Sequence, residues 1–155
     1  MSTDRLLLEF TLSKFDQLFD LIGQSDDALV NRKPDVEGAN SLFAIGTHVL
    51  GMMRYWSCTV NRGVEVDRDR EAEFAATGSI AELLAQAAMV RQLFETDVLA
   101  VNGHSKPANR PADKDDDWLV SCHGVLLHVF EEICQHLGHA EVTKDLLAEP
   151  FPALT

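Results

Sequence analysis

Two stretches of this sequence concentrate side chains that bind metal ions or move protons. One is His48, alone in an apolar run; the other is His128-Val-Phe-Glu131-Glu132-Ile-Cys-Gln-His136-Leu-Gly-His139. Residues four apart on a helix stand one above the other, with Cβ atoms about 5–6 Å apart. Glu132 and His136 can therefore share one cation at the roughly 2.0–2.2 Å bonds that carboxylate and imidazole make to zinc. A third donor must come from another helix, and His48 suits the part because it sits in an apolar stripe and should turn inward with it. Burying a Glu and two His without compensation is expensive, and a divalent cation is the simplest compensation. Three protein donors leave a coordination position open, which is the pattern of catalytic rather than structural zinc.

Other arrangements of the same residues compete. His128, one turn before Glu132, can replace His136 in the pair. His139, one turn beyond His136, can be a ligand, an orienter of a ligand or a proton shuttle. His123, near the start of the same helix, is a second candidate for moving protons. Glu131 is rotated away from the pair, and His104 falls in a loop. Taken singly, each feature is ordinary. A lone core histidine is more often hydrogen-bonded than metal-bound, and a Glu–His pair four apart is common on an exposed helix.

Four helical segments must position these residues. The first runs from about Thr3 to Ile22, with Leu6, Leu7, Phe10, Phe15, Leu18, Phe19 and Ile22 on or near one stripe. Gly23 stops it, and Ser25-Asp26-Asp27 caps a short helix ended by Pro34. The second opens at Asn40-Ser41 and reaches about Arg62, burying Leu42, Ile45, His48, Val49, Met52, Met53 and Trp56 before Gly63. The third opens on Ser79-Ile80-Ala81-Glu82, the pattern of a reciprocal capping box, and continues through Leu83, Leu84, Ala87, Val90 and Phe94 towards Leu99. The fourth runs from about Ser121 to Leu147 on Val125, Leu126, Val129, Ile133 and Leu137, and ends before Pro150. Four amphipathic helices of about 20 residues bury their stripes together as a bundle. No strand alternation or internal repeat is visible, so residues 1–155 read as a single all-α domain. The connectors Gly63–Gly78 and Val101–Asp117 are long for a compact bundle, hold most of the excess acid, and have the length of functional or mobile loops.

Composition narrows the partners. A formal net charge of −12 with only 13 Lys and Arg excludes a phosphate backbone or an anionic membrane surface as the expected partner. No stretch approaches the roughly 18 apolar residues of a membrane span, and the start, MSTDRLLLEF, lacks the pattern of a secretory signal. The 3 cysteines are odd in number and form no CxxC pair, as expected of reduced thiols in a cytoplasmic protein.

With these residues in hand, the stretches SLFAIGTHVLGMMRYW (41–56) and VLLHVFEEICQHLGHAEVTKDLL (125–147) resemble the DinB/YfiT-like superfamily of metalloenzymes. The likeness is greatest to the branch of mycothiol-dependent transferases and the N-terminal domain of mycothiol-dependent maleylpyruvate isomerase. That branch shows a His in its second helix and a pattern like HMIEExxxHxGHAD in its fourth, answered here by residues 128–141. Glu141 stands where the branch usually has Asp, Lys144 where Arg is usual, and His123-Gly124 where an Arg-Trp pair is frequent. The resemblance implies a four-helix bundle in the mirror variant of up-and-down topology. It also implies a divalent metal, zinc or nickel, on His48, Glu132 and His136, and a homodimer is suggested by the same likeness.

The expected activity is S-transfer, the metal activating a low-molecular-weight, mycothiol-like thiol against a small-molecule electrophile, with His139 or His123 moving protons. Metal-assisted hydrolysis or isomerisation comes next. A metal-binding bundle without turnover, and a structural dimer whose histidines are core residues, are the readings set against it.

Overall fold

The computed structural model describes residues 3–112, 114 and 116–148. Long helices α1 (Thr3–Gly23), α3 (Leu42–Arg54), α5 (Ile80–Leu99) and α6 (Cys122–Ala148) correspond to the four expected segments. Between them lie α2 (Asp27–Asn31), a π-helical turn continuing α3 (Tyr55–Asn61), α4 (Arg70–Ala75) and a 3₁₀ turn (Asp117–Val120). No strand occurs among the described residues, and the fold is an all-helical bundle. Pro150, expected just past the last helix, lies outside the described residues.

Helix starts follow the capping chemistry. Asp26 accepts from Leu29 N–H at 2.7 Å and Ser41 from Ala44 N–H at 3.1 Å, each satisfying a backbone donor that the first turn leaves free. The box at Ser79 is only half as expected. Ser79 Oγ accepts from Glu82 N–H, but the Glu82 carboxylate takes the Ser79 hydroxyl rather than a backbone N–H. The Ile80 N–H is instead capped by Asp27 Oδ1 at 2.8 Å, tying α2 to α5.

The four stripes meet in one core. Leu18, Ile22, Ile45, Val49, Met53, Leu83 and Ile133 are inaccessible to solvent, each burial contributing roughly 1.5–3 kcal/mol. On α1 the stripe is rotated from the expected one. Leu8, Leu12, Phe15, Phe19 and Ile22 form it at alternating steps of four and three, while Leu6 and Phe10 lie outside it and are exposed. Phe10 still finds a partner, the edge of the Phe130 ring at 6.4 Å between centroids. On α5 the stripe runs through Phe94 to Val98 and leaves only the last residue, Leu99, in solvent.

Around the bundle, α1 packs against α6 and α5, and α3 packs against the same two helices, whereas α5 and α6 touch little. Consecutive helices α1 and α3 are thus nearly diagonal, as are α5 and α6. The connectors 24–41 and 100–121 must cross an end of the bundle, which accounts for their length. The connector 62–79 joins neighbours and needs no such span. Its excess is α4, which packs on α3.

At the far end of α3 the backbone widens into the π turn. There the buried Asp97 of α5 takes Ser57 Oγ at 2.8 Å, Arg62 Nη1 at 2.5 Å and the Arg54 guanidinium. This cluster fixes α5 to the widened turn, since an unpaired carboxylate so deeply buried would be costly.

Candidate metal centre

His48 lies midway along α3 and is buried, while Glu132 and His136 face it from α6. One ligand atom from each lies within 4.8 Å of the other two. Between Glu132 Oε2 and His136 Nε2 the separation is 3.8 Å, and the His48 and His136 rings meet edge-on at 4.6 Å. Tetrahedral bonds of roughly 2.1 Å place neighbouring donors about 3.4 Å apart, so small side-chain movements suffice. The donor set also suits a cation chemically. Two imidazoles and one carboxylate are donor types that zinc and nickel both accept. The residues present fit a divalent metal with an open position.

His48 is held by a buried acid. Its Nδ1 hydrogen-bonds Glu73 Oε2 at 2.8 Å, which makes Nδ1 the donor and leaves the Nε2 lone pair for a cation. Arg68 grips the same carboxylate through two parallel bonds, Nε to Oε1 at 2.7 Å and Nη2 to Oε2 at 2.9 Å. Burial alone would raise the Glu73 pKa, but the bonds from His48 and Arg68 outweigh it and hold the carboxyl below its ordinary range. Phe74 stacks on the outer face of the His48 ring, centroids 4.4 Å apart. Room for the carboxylate comes from α3 itself: a Cβ on Gly51 would stand 1.9 Å from Glu73 Oε1. Sequence reasoning left Glu73 and Arg68 in an acidic loop. The signal that could have found them was the connector's unusual length.

His128 is not in the triad. Its ring stacks on Trp118, centroids 3.9 Å apart and 12° from parallel, and meets the Trp56 ring edge-on at 5.0 Å. Burial between these rings pushes its pKa down, against the upward pull of Glu132 and Glu131. The Trp118 carbonyl can approach because Gly124 has no side chain; a Cβ there would lie 1.8 Å from it. Glu131 is exposed, as its helical phase predicted.

His139 sits beyond His136, exposed, with ring centroids 6.4 Å apart. Burial and the neighbouring His136 depress its pKa. His123 lies earlier on α6 with its ring edge-on to His104 at 4.8 Å. Glu132 is lowered chiefly by the approach of His136, against a smaller opposing effect of burial.

Two of the three, His48 and Glu132, line a cleft of about 520 Å³ together with His128, the aromatic rings of Tyr55 and Trp56, Met52, and three cations, Arg68, Arg70 and Lys114; His136 stands behind them. Neither His139 nor His123 is among its lining residues.

A helical bundle holding His, Glu and His donors beside a cleft defines a candidate metal-binding protein with room for a small-molecule substrate. The family model for mycothiol-S-transferase matches residues 18–148, and the chain belongs to that family. Comparison with curated proteins and with solved structures finds no match.

Proposed function

We propose that this protein is a metal-dependent S-transferase that joins a low-molecular-weight, mycothiol-like thiol to a small electrophile. The observation that carries the reading is the convergence of His48, Glu132 and His136 on one point, with His48 and Glu132 lining an open cleft, in a chain of the mycothiol-S-transferase family. A divalent cation bound there, zinc by preference and nickel as the alternative, lowers the pKa of a coordinated thiol so that the sulfur is nucleophilic at neutral pH.

The chain's own residues do the rest. Glu73 fixes the His48 tautomer, and Arg68 keeps Glu73 ionised. Tyr55 and Trp56 wall the cleft with apolar surface. In the transfer, the thiol sulfur forms a bond to the electrophilic carbon, and a leaving group departs with the electron pair of its broken bond. The thiol proton passes to the His128 imidazole, which lines the cleft beside Glu132. His139, exposed beyond His136 and about 16 Å along α6 from His128, is a separate candidate for moving protons rather than the next step of that path. His123 is the remaining candidate for proton handling, placed beside His104 rather than on the cleft.

Metal analysis of the purified protein is expected to give close to one divalent ion per chain, absent from folded His48→Ala and His136→Ala. Stoichiometric metal in both variants would overturn the ligand assignment. Conjugation of an electrophilic dye, assayed with mycothiol, bacillithiol and glutathione, tests the chemistry. Metal-loaded protein inactive with all three thiols would leave a binding bundle as the better reading. Alanine variants of His128, His139 and His123 identify the proton carrier as the one whose loss flattens the pH dependence of turnover.

A further inference from the structure

The cleft carries charge that its own fold does not use. The chain has 25 acidic residues against 13 Lys and Arg, yet three of those cations, Arg68, Arg70 and Lys114, line this one cleft with Glu132 as the only lining carboxylate. Arg68 is committed to Glu73. The other two have no carboxylate partner among the described residues: Arg70 lies over the Phe74 ring at 5.5 Å, and Lys114 is exposed and electrostatically coupled to His128. Elsewhere the guanidiniums of Arg54, Arg62 and Arg91 each grip an acid of the chain. In so acidic a protein, two cations beside a cleft with no acid partner among the described residues mark a place where a diffusing anion can bind. Arg68, Arg70 and Phe74 come from the one connector longer than its neighbouring helices require.

We infer that the small molecule accepted by this cleft bears an anionic group, a carboxylate or its like, bound by Arg70 and Lys114 while its apolar body lies against Tyr55 and Trp56. This rests on the S-transfer reading, in which the organic anion is one of the two reactants. Arg70 supplies a planar fork suited to a carboxylate and Lys114 a compact charge.

The chain's 2 tryptophans report on this place without any turnover. Trp56 lines the cleft, and Trp118 meets it edge-on at 5.2 Å between centroids. Benzoate and its neutral isostere benzamide are titrated into the purified, metal-bearing protein while tryptophan emission is followed. Benzoate is expected to bind about tenfold more tightly than benzamide, a difference of about 1.4 kcal/mol, and to weaken as salt rises. Both positions are exposed, so Arg70→Met/Lys114→Met should stay folded, checked by circular dichroism; it should lose most of the preference. Any carboxylate affinity of the metal contributes to both proteins alike and cancels in the comparison. Equal affinities in the native protein, or a preference untouched in the double variant, would overturn the inference. Absence of conjugation with every thiol would defeat the S-transfer reading and leave this measurement standing, so the two failures are distinguishable.

Discussion

Replacing Glu73 by Gln tests whether the acid behind His48 tunes metal binding or merely fills space. The substitution preserves shape and removes charge. If the amide oxygen keeps the His48 bond, the amide N–H₂ faces Arg68, and a half-buried guanidinium loses its carboxylate. If the amide turns over, its N–H₂ faces His48 Nδ1, the ring proton moves to Nε2, and the lone pair needed by a cation is lost. Either way a charge-assisted hydrogen bond disappears from a residue only 7% exposed, worth roughly 1.5–3 kcal/mol. At 1.4 kcal/mol per factor of ten, zinc affinity should fall about tenfold to a hundredfold, the usual range for removing the partner of a metal-bound histidine. The assay is competition with a chromophoric chelator, run beside circular dichroism of the metal-free variant to show that the helices persist. Zinc affinity within twofold of the native protein, with the fold intact, would refute the reasoning.

Other outcomes follow from the same geometry. Gly51→Ala should displace the Glu73 carboxylate, cost about 1–3 kcal/mol by overpacking and weaken zinc binding. Combined with Glu73→Gln it should add little further loss of affinity, because both remove the same bond; full additivity in chelator competition would contradict this. Asp97→Asn should lower the urea midpoint without loss of zinc stoichiometry, since its cluster joins α5 to the π turn away from the triad; an unchanged midpoint argues against that role. For His128, burial lowers the folded-state pKa, so the unfolded chain binds more protons as pH drops below about 6.5. Its contribution to stability is therefore present above that pH and lost as pH falls through the folded value. Its ring-proton shift in metal-free protein should titrate with a midpoint below 6.5, moving up towards it in Trp118→Ala; a native midpoint at or above 6.5 would contradict the stacking argument.

The four long helices were legible in the sequence because their periodicity and caps are local signals. His48, Glu132 and His136 were legible for a related reason. Two share a helix face, and the third interrupts an apolar stripe whose inward direction is set by its neighbours. Tertiary packing decided what remained. On α1, several apolar residues fit more than one stripe, and packing into the core selected Leu8 and Leu12 over Leu6 and Phe10, which stays exposed beside Phe130. Glu73 reaches His48 across 25 residues of sequence through a short helix amid other acids, and no local period distinguishes it from them. Trp118 and His128 likewise meet only because a 3₁₀ turn folds back over the start of α6.

Gly51 lies one helical turn beyond His48, where its missing side chain leaves the notch that Glu73 fills. Positions 51 and 73 are thereby bound into a single heritable unit: a larger residue at the first is tolerable only if the acid at the second retreats or is replaced. Among relatives the pair should vary together even where the connector between them drifts in length and composition. A histidine followed three places later by glycine in the second long helix then becomes a searchable mark for a buried acid that no fixed spacing would locate. The empty place is easier to read in a sequence than the residue that fills it.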